Sequence, residues 1–592
     1  MRFIVFDAEC YFDSEYTFKK LSTEEFVRHP KFELHGAAIK EFADQPAFWL
    51  NDTQLREWLN RQDWSDIFLV SHHAQWDHFA LSHHYNVRPK MSGCTLSMSR
   101  LCLGNHLSVA LDAVRKHFNM PLKTTPYNLF RGLYWREMTP QVQQLVAEGA
   151  CDEVESIWKI FGLLYPQFPK EELGCIDLTI KMFCQPTLRA DLTKLATVWT
   201  DEVTKKSALL KDLNVTEADL QSAERFAALL RAEGVEPATK AGKNDSTLYA
   251  FAKIDPFMKE LQEDEDDRVR MLVEARLGVK STLLQTRAET IGWMGRRGAL
   301  CIYLRYAGAH TSRWSGGDNS NWQNGVPAIN DAILPPEGYA LIKPDASQVE
   351  CRLLNFVAGQ EDKIADFRLG RDPYVGVAEA FCGHPVNKKD HPDLRQAGKV
   401  VELQAGYGSG GEKIRATLRN KAGIIITPED GEKYKWAYRN THPRVTDLWK
   451  EAGEILADLA AGRSVEWGPV VIADHRIWLP NGIPLIYETL EWYIDEEIGD
   501  KYWRLKTRSG WHKMYGAKLV ENLIQALARL VVSQAMLRID KLGYRIVNMR
   551  HDDLWILVPE DGREITHAEK CRLEMCREPV WLPGIPLDAE LH

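Results

Sequence analysis

The chain has 592 residues, 45% hydrophobic and 27% charged, and its 74 Lys and Arg against 83 Asp and Glu leave a formal charge of −9. That length is too great for one hydrophobic core, so several domains are expected, and the composition is that of an ordinary globular protein. The acidic balance does not advertise nucleic acid, nor does it exclude it, because a large enzyme can confine positive charge to one groove.

The opening MRFIVFDAEC is a short apolar run broken at once by acids, which reads as a strand and not as a signal peptide. Residues 1 to about 170 alternate strand-like runs, RFIVFDAE and DIFLVSHH, with helical patterns, as an α/β domain does. Asp7 and Glu9 lie two apart at the end of the first strand, where residues i and i+2 point to the same face and can grip one cation. Asp77 follows in LVSHHAQWDHFAL, after a strand, and Asp152 in the helical LVAEGACDEVESIWKIF. Four carboxylates around two divalent ions suit phosphodiester hydrolysis, one ion generating hydroxide and the other stabilising the leaving oxygen. A lone DxE at a strand end is usually just solvated; the ordered set carries the reading. Five histidines, at 72, 73, 78, 83 and 84, leave open a zinc site or a hydrated, nucleic-acid-facing helix surface, and the second is favoured.

From about 175 to 290 the pattern is helical and highly charged, enclosing a Gly/Lys-rich loop, ATKAGKNDS, that reads as exposed. Strand signals return near ALCIYLRYAG and YALIKPDASQVE, helices dominate from about 360 to 465, and the end mixes strands with one long helix, GAKLVENLIQALARLVVSQAML. The run LIKPDASQVECRLL ends an apolar strand at Asp345, with Glu350 and Arg352 beyond. In RQAGKVVELQAGYG, Arg395, Lys399, Leu403 and Tyr407 step by four and share one helical face. Such a face suits a triphosphate and a stacked base, although a solvated basic stripe has the same pattern; the eight Lys and Arg against four Asp and Glu between Lys388 and Lys421 favour the phosphate. In YRIVNMRHDDLWILVPE, Asp552 and Asp553 sit side by side between two strand-like runs, so either a turn in water carries them or a cation does. The 11 cysteines are scattered and lack any CxxC, against both a disulfide framework and a zinc ribbon, and no apolar run reaches bilayer length, so a reducing, cytoplasmic setting is expected.

The acids of the first half resemble those of DEDD-superfamily 3′–5′ proofreading exonucleases, whose fold is RNase H-like. The likeness implies that Asp7, Glu9, Asp77 and Asp152 bind two divalent ions, Mg²⁺ or Mn²⁺. Glu148 stands where that family has a water-orienting tyrosine, and His73 where it has asparagine, which bears on the activity. DASQVECR, RQAGKVVELQAGYG and HDD are similar, in order and spacing, to motifs A, B and C of family A DNA polymerases, the bacterial polymerase I type in its phage-like form. TSRWSGGDNSNWQN and ENLIQALAR are similar to two supporting segments.

The resemblance implies an α/β multidomain chain. The exonuclease domain would be 1–174 and a right-hand polymerase 175–592, with thumb about 175–290, palm about 291–375 and 470–592, and fingers about 376–469. It implies that Asp345 and Asp552 hold two Mg²⁺ ions, with Asp553 a secondary carboxylate in place of the usual Glu. Arg395 and Lys399 would neutralise the triphosphate, with Lys399 protonating pyrophosphate. Glu350 would crowd the sugar 2′ position, Leu403 lie beside the incoming sugar and Tyr407 close the floor under the new pair. Arg313, Gln323, Asn324, Lys518, Asn522, Gln525, Arg529 and His551 would touch primer–template DNA, largely from the minor groove, where all Watson–Crick pairs present acceptors at similar places. Leu403, Ala346 and Ser312 depart from the family's usual residues without removing a metal ligand. Partners implied are primer–template DNA and dNTPs, with a processivity factor left open, in the cytoplasm of an infected bacterial host. Two rival readings are a nuclease with a C-terminal DNA-binding module, against which paired Asp345 and Asp552 argue since binding alone needs cations, and a non-enzymatic replication scaffold; primer extension distinguishes all three.

Overall fold

The computed structural model describes all residues except 105, 243–245, 253–254, 263, 265, 281–282, 497–498 and 592. The loop expected at 238–246 lies partly outside the described residues. The chain forms two compact units, one from Met1–Pro186, Cys301–Gln323 and Glu337–His592, the other from Thr187–Leu300 with Asn324–Pro336.

The first unit opens with β1 (Arg2–Cys10), β2 (Leu34–Lys40), β3 (Phe48–Asn51), β4 (Ile67–Ser71) and β5 (Met91–Cys94), in the sheet order β3–β2–β1–β4–β5. β1 is central, antiparallel to β2 and parallel to β4, and its Ile4, Val5 and Phe6 are fully buried. Burial on both sides explains why the run is continuously apolar until Asp7. The helix α1 (Ala74–His84) follows β4 directly, and α2 (Pro140–Leu164) packs across β1 and β2. Thr139 caps α2 by accepting from the Val142 amide at 3.4 Å, and Pro140 occupies the first turn, where its missing N–H costs nothing. Next, α3 (Lys170–Cys184) packs on α1 and β5. The domain break expected at 174 thus falls inside a helix, and the unit boundary comes after Pro186. An apolar helix face here looks alike whether it closes one domain or opens the next.

The second unit is helical, as its charged periodicity implies. α4 (Leu192–Leu213) is capped by Asp191, whose side chain accepts from Lys194 N at 2.9 Å, and ends at Asn214 in the left-handed conformation. It packs along α5 (Leu283–Arg297), while Phe226, Leu230, Met258, Leu272 and Val273 form a separate core. Arg189–Ala190 pairs with Ile333–Leu334, which ties the two stretches of this unit together.

Back in the first unit, β6 (Tyr339–Ile342) and β7 (Pro344–Ala346) both lie antiparallel to β9 (Asp553–Pro559), which also pairs with β8 (Arg545–Arg550). β10 (Ala589–Leu591) covers the other edge of β7. Around this sheet run α6 (Val349–Ala358), α7 (Pro392–Ala405), α8 (Pro443–Ala460) and the 26-residue α9 (Gly516–Lys541). α8 and α9 pack closely, and Gly516 is what permits it: a Cβ there would lie 1.9 Å from the Trp449 carbonyl oxygen. A small three-stranded antiparallel sheet, Leu490–Ile494, Lys501–Thr507 and Gly510–Met514, precedes α9.

Candidate active sites

β1 delivers Asp7 and Glu9, as its pleat requires, and α1 delivers Asp77, which is 1% exposed. Asp77 Oδ1 accepts from the Ala8 amide at 3.1 Å, pinning the start of α1 to the strand between the other two acids. Asp152 does not join them. Its carboxylate turns to Arg115, 2.8 Å away, and is 55% exposed, while Arg115 Nη2 also donates to the Asp152 carbonyl. The fourth carboxylate is Glu153. One residue further along α2 rotates the side chain by about 100°, and Glu153 is 5% exposed and faces Asp7, Glu9 and Asp77. Sequence spacing alone did not separate two adjacent acids on one helix.

The electrostatics follow from that gathering. Burial, then Glu153 and Asp77, raise the Asp7 carboxyl well above its usual range. Burial and Glu153 push Glu9 up to about 8, and burial pushes Asp77 up to about 7 against the Ala8 hydrogen bond. One segment answers this negative charge. Lys123 Nζ forms an ion pair with Glu153, and the Tyr127 hydroxyl donates to the same carboxylate. Neither residue was signalled by spacing, because both lie in a proline-flanked irregular stretch. Glu148 is exposed and accepts from Gln144 at 2.7 Å, away from the cluster. His73 lies 3.3 Å from the Tyr303 hydroxyl. The expected hydrated histidine face is corrected: His72 and His78 are buried, bonded to Thr95, Val109 and Ser92, and only His83 and His84 are exposed.

The second cluster lies on the other sheet. β8 and β9 form a hairpin whose two-residue turn, His551–Asp552, opens with His551 at φ 46°, so Asp552 sits at the tip and Asp553 begins β9. Asp345 and Asp553 are direct cross-strand partners, and the Ala346 amide donates to the Asp552 carbonyl at 3.0 Å. Two chain positions 207 residues apart are thereby brought to one sheet edge. Burial and the neighbouring Asp345 push the Asp552 carboxyl up to about 7. Asp553 is raised by burial, but Arg550 pairs with it at 3.1 Å and opposes the shift. Gln323, 6% exposed, holds the turn: its Nε2 donates to the Met549 carbonyl at 2.7 Å and its Oε1 accepts from the His551 amide at 3.2 Å. Expected as a DNA donor, Gln323 here has both its amide atoms engaged by the hairpin backbone. Oxygen-only donor sets of crowded carboxylates suit a hard divalent cation in both clusters. As the side chains stand, among the described residues no group of three or more His, Cys, Asp or Glu is arranged so that it could hold a metal ion.

A pocket of about 370 Å³ is lined by Glu350, whose charge acts on His551 of the hairpin, and by Lys399, Leu403 and Tyr407, together with Lys413 and Lys421. Tyr407 lies just past the end of α7, in the turn at Gly406–Gly408, and its hydroxyl donates to Glu350 at 2.9 Å. Arg313 Nη2 donates to the other Glu350 oxygen at 2.5 Å, so Arg313 buttresses Glu350 from the opposite side. Arg395 leaves the set: it pairs with Asp372 at 2.8 Å and lies over the Tyr374 ring. Lys413 and Lys421, which spacing did not single out, line the pocket, and Arg395 does not.

Lys518, Asn522 and Gln525 line a second cavity of about 970 Å³ with Arg100, Arg305 and Arg508, and among the described residues no carboxylate side chain lines it. Asn522 is 6% exposed and donates to the Tyr487 hydroxyl at 2.9 Å. Arg529 departs from expectation most sharply. It is 1% exposed and pairs bidentately with Glu172 on α3, stacked on Trp314, where no DNA can reach it. Asn324 belongs to the second unit, where its carbonyl accepts from Arg287.

The sequence profile of DNA polymerase family A matches residues 189–592. The DNA polymerase of Bacillus phage SP02 is 29% identical over 283 residues, 44% of this chain and 42% of that protein. The thermostable DNA polymerase I of Thermus aquaticus is 24% identical over 321 residues, 53% of this chain and 34% of that protein. The matches thus span less than half the length of these curated relatives. Among solved structures, the polymerase domain of Pol1 from M. smegmatis, in complex with DNA primer-template and dNTP, aligns with a TM-score of 0.70. That alignment covers 99% of this chain and 94% of that one at 17% identity, a likeness of fold. Among the described residues no helix is long and apolar enough to cross a membrane.

Proposed function

Because the chain belongs to DNA polymerase family A, we propose that it extends a DNA primer along a template by joining deoxynucleoside triphosphates to the 3′ end. The observation that carries this reading is the cross-strand apposition of Asp345 with the Asp552–Asp553 hairpin, together with the Lys399 pocket. Asp345 and Asp552 would hold the divalent ions, taken as a pair of Mg²⁺. Bound there, such ions supply the charge that activates a 3′-hydroxyl and receives pyrophosphate. Lys399, in the pocket with Glu350 and Tyr407, meets the triphosphate and is the candidate proton donor to the leaving pyrophosphate. Glu350, held by Tyr407 on one oxygen and Arg313 on the other, cannot swing aside. It is therefore a fixed wall for the sugar 2′ position. Gln323 holds the hairpin turn through the Met549 carbonyl and the His551 amide, which fixes where Asp552 stands. Lys518 and Gln525, each bonded to Glu521, would with Thr311 offer donors to a duplex minor groove from the second cavity.

The front cluster supports a 3′–5′ exonuclease using Asp7, Glu9, Asp77 and Glu153, with Mg²⁺ or Mn²⁺. Primer extension tests the first reading: the wild-type chain elongates a primer with dNTPs and Mg²⁺, and Asp552→Ala abolishes elongation while leaving DNA binding largely intact. Failure of the wild type to elongate, or synthesis by Asp552→Ala, overturns it. For the second, trimming of a mismatched 3′ end disappears with Asp7→Ala and Glu9→Ala together; persistent trimming would mean that other groups do the chemistry.

A further inference from the structure

We infer that Lys123 is a positioning residue of the front cluster, an internal counter-cation paired with Glu153 and acting on Asp7 and Glu9, that sets how tightly the carboxylates take a divalent ion. The inference rests on the exonuclease reading of that cluster.

The placement of Lys123 is built in. The stretch 121–130 lies along α2, and it can do so because position 149 has no side chain: a Cβ on Gly149 would lie 2.4 Å from Thr125 Oγ1. The Lys123 amide donates to Asp112 at 3.1 Å, and Phe130 is buried in a small core with Met138 and Val146, so both ends of the stretch are anchored. Between the anchors, Lys123 and Tyr127 reach the same carboxylate, Glu153. The ammonium is 24% exposed and the carboxylate 6%, so water screens this pair less than an ordinary surface ion pair. Lys123 also acts electrostatically on Asp7 and Glu9.

An ammonium acting on crowded carboxylates lowers their mutual repulsion without a metal. A divalent ion approaching Glu153 therefore meets a positive charge already in place, and either displaces it or binds beside it at reduced affinity. Tyr127, a neutral donor, can keep its bond to one Glu153 oxygen through that exchange. On this account the segment 123–127 is a charge latch.

The test is Mn²⁺ binding, read as loss of the free-ion paramagnetic resonance signal. It uses the full chain carrying Asp345→Ala and Asp552→Ala, so that only the front cluster reports. In that background Lys123→Met is expected to bind Mn²⁺ at least tenfold more tightly, and Lys123→Arg to keep the parent affinity, because the positive charge is what matters. An affinity within twofold of the parent for Lys123→Met overturns the inference, as does Lys123→Arg behaving like Lys123→Met. A melting curve for each variant separates a binding change from unfolding. Asp7→Ala with Glu9→Ala in the same background removes the binding if the cluster is a metal site. If Mn²⁺ binding survives that pair, the exonuclease reading itself fails, a result distinct from an unresponsive Lys123.

Discussion

Asp552 and Asp553 stand side by side because a two-residue turn places one at its tip and the other in the strand opposite Asp345. The chain holds this repulsion in place, and stability should register it. The unfolded carboxyl of Asp552 releases its proton near pH 3.8, the folded one only near about 7, and Glu9 shifts from 4.5 to about 8. Between those values the folded chain binds more protons than the unfolded one, so in metal-free buffer these groups make stability fall as pH rises from about 4 to about 8. Asp552→Asn should therefore raise the melting temperature at pH 8 without metal, give little change at pH 4, and abolish primer extension. A lower melting temperature at pH 8 would contradict the electrostatic account. The same scale holds the sharpest test of the front site: Glu153→Gln should lose 3′ trimming by about tenfold or more, on the scale of a lost charge-stabilising contact. Asp152→Asn, which keeps a hydrogen-bond acceptor for Arg115, should trim nearly as well as the wild type. Asp7 and Glu9 were legible in the sequence because a strand's period of two is local. The choice between Asp152 and Glu153 was not, because it depends on how α2 is rotated against β1, which is a matter of packing.

Among the elements, α3 and α9 are joined by a buried pair that their own sequences do not announce. Glu172 accepts both Arg529 nitrogens, the Tyr306 hydroxyl and, at 2.7 Å, the Asn481 side chain, while Trp314 packs over the guanidinium. Arg529→Met leaves a buried carboxylate without its cation and should destabilise the chain by about 3–5 kcal/mol, measured by denaturant unfolding. The double variant Arg529→Met with Glu172→Met should recover much of that loss. If the single variant melts like the wild type, the pair contributes nothing. The stepping polar face of α9 was read as four DNA donors, and the cavity does receive Lys518, Asn522 and Gln525. About one turn of helix past Gln525 carries Arg529 beyond it into the core. Its partner lies 357 residues earlier, a separation that no periodicity encodes. α7 shows the converse: Lys399 and Leu403 reach the pocket as the four-residue step implies, because a regular helix preserves that geometry, while Arg395, one turn earlier, meets Asp372 first.

Across the first unit, two acid clusters lie on separate sheets, the front one built on β1 and the other on β7 and β9. Sites on separate rigid sheets should fail separately. Asp7→Ala with Glu9→Ala should remove trimming and leave the rate of extension on a matched primer within about twofold, since distant substitutions act independently. A comparable fall in extension would mean that the front sheet supports the other site. The alternation of strands and helices made the front α/β layer readable from composition and pattern, and the ordered motifs made the second site readable. How three separated stretches of chain close into one unit was not visible, because the joins are strand pairings between distant segments.

One of those pairings has a consequence for the order in which the molecule comes into being. β7, the strand bearing Asp345, is flanked on one side by β9 and on the other by β10, where Glu590 stands opposite Asp345. For a polypeptide emerging from the ribosome, the strands of the front sheet are all delivered by residue 94, whereas Asp345 waits through more than two hundred further codons for both of its neighbours. N-terminal parts of a chain generally fold first during synthesis. A growing chain can therefore assemble the layer built on β1 well before it possesses all the strands that surround Asp345.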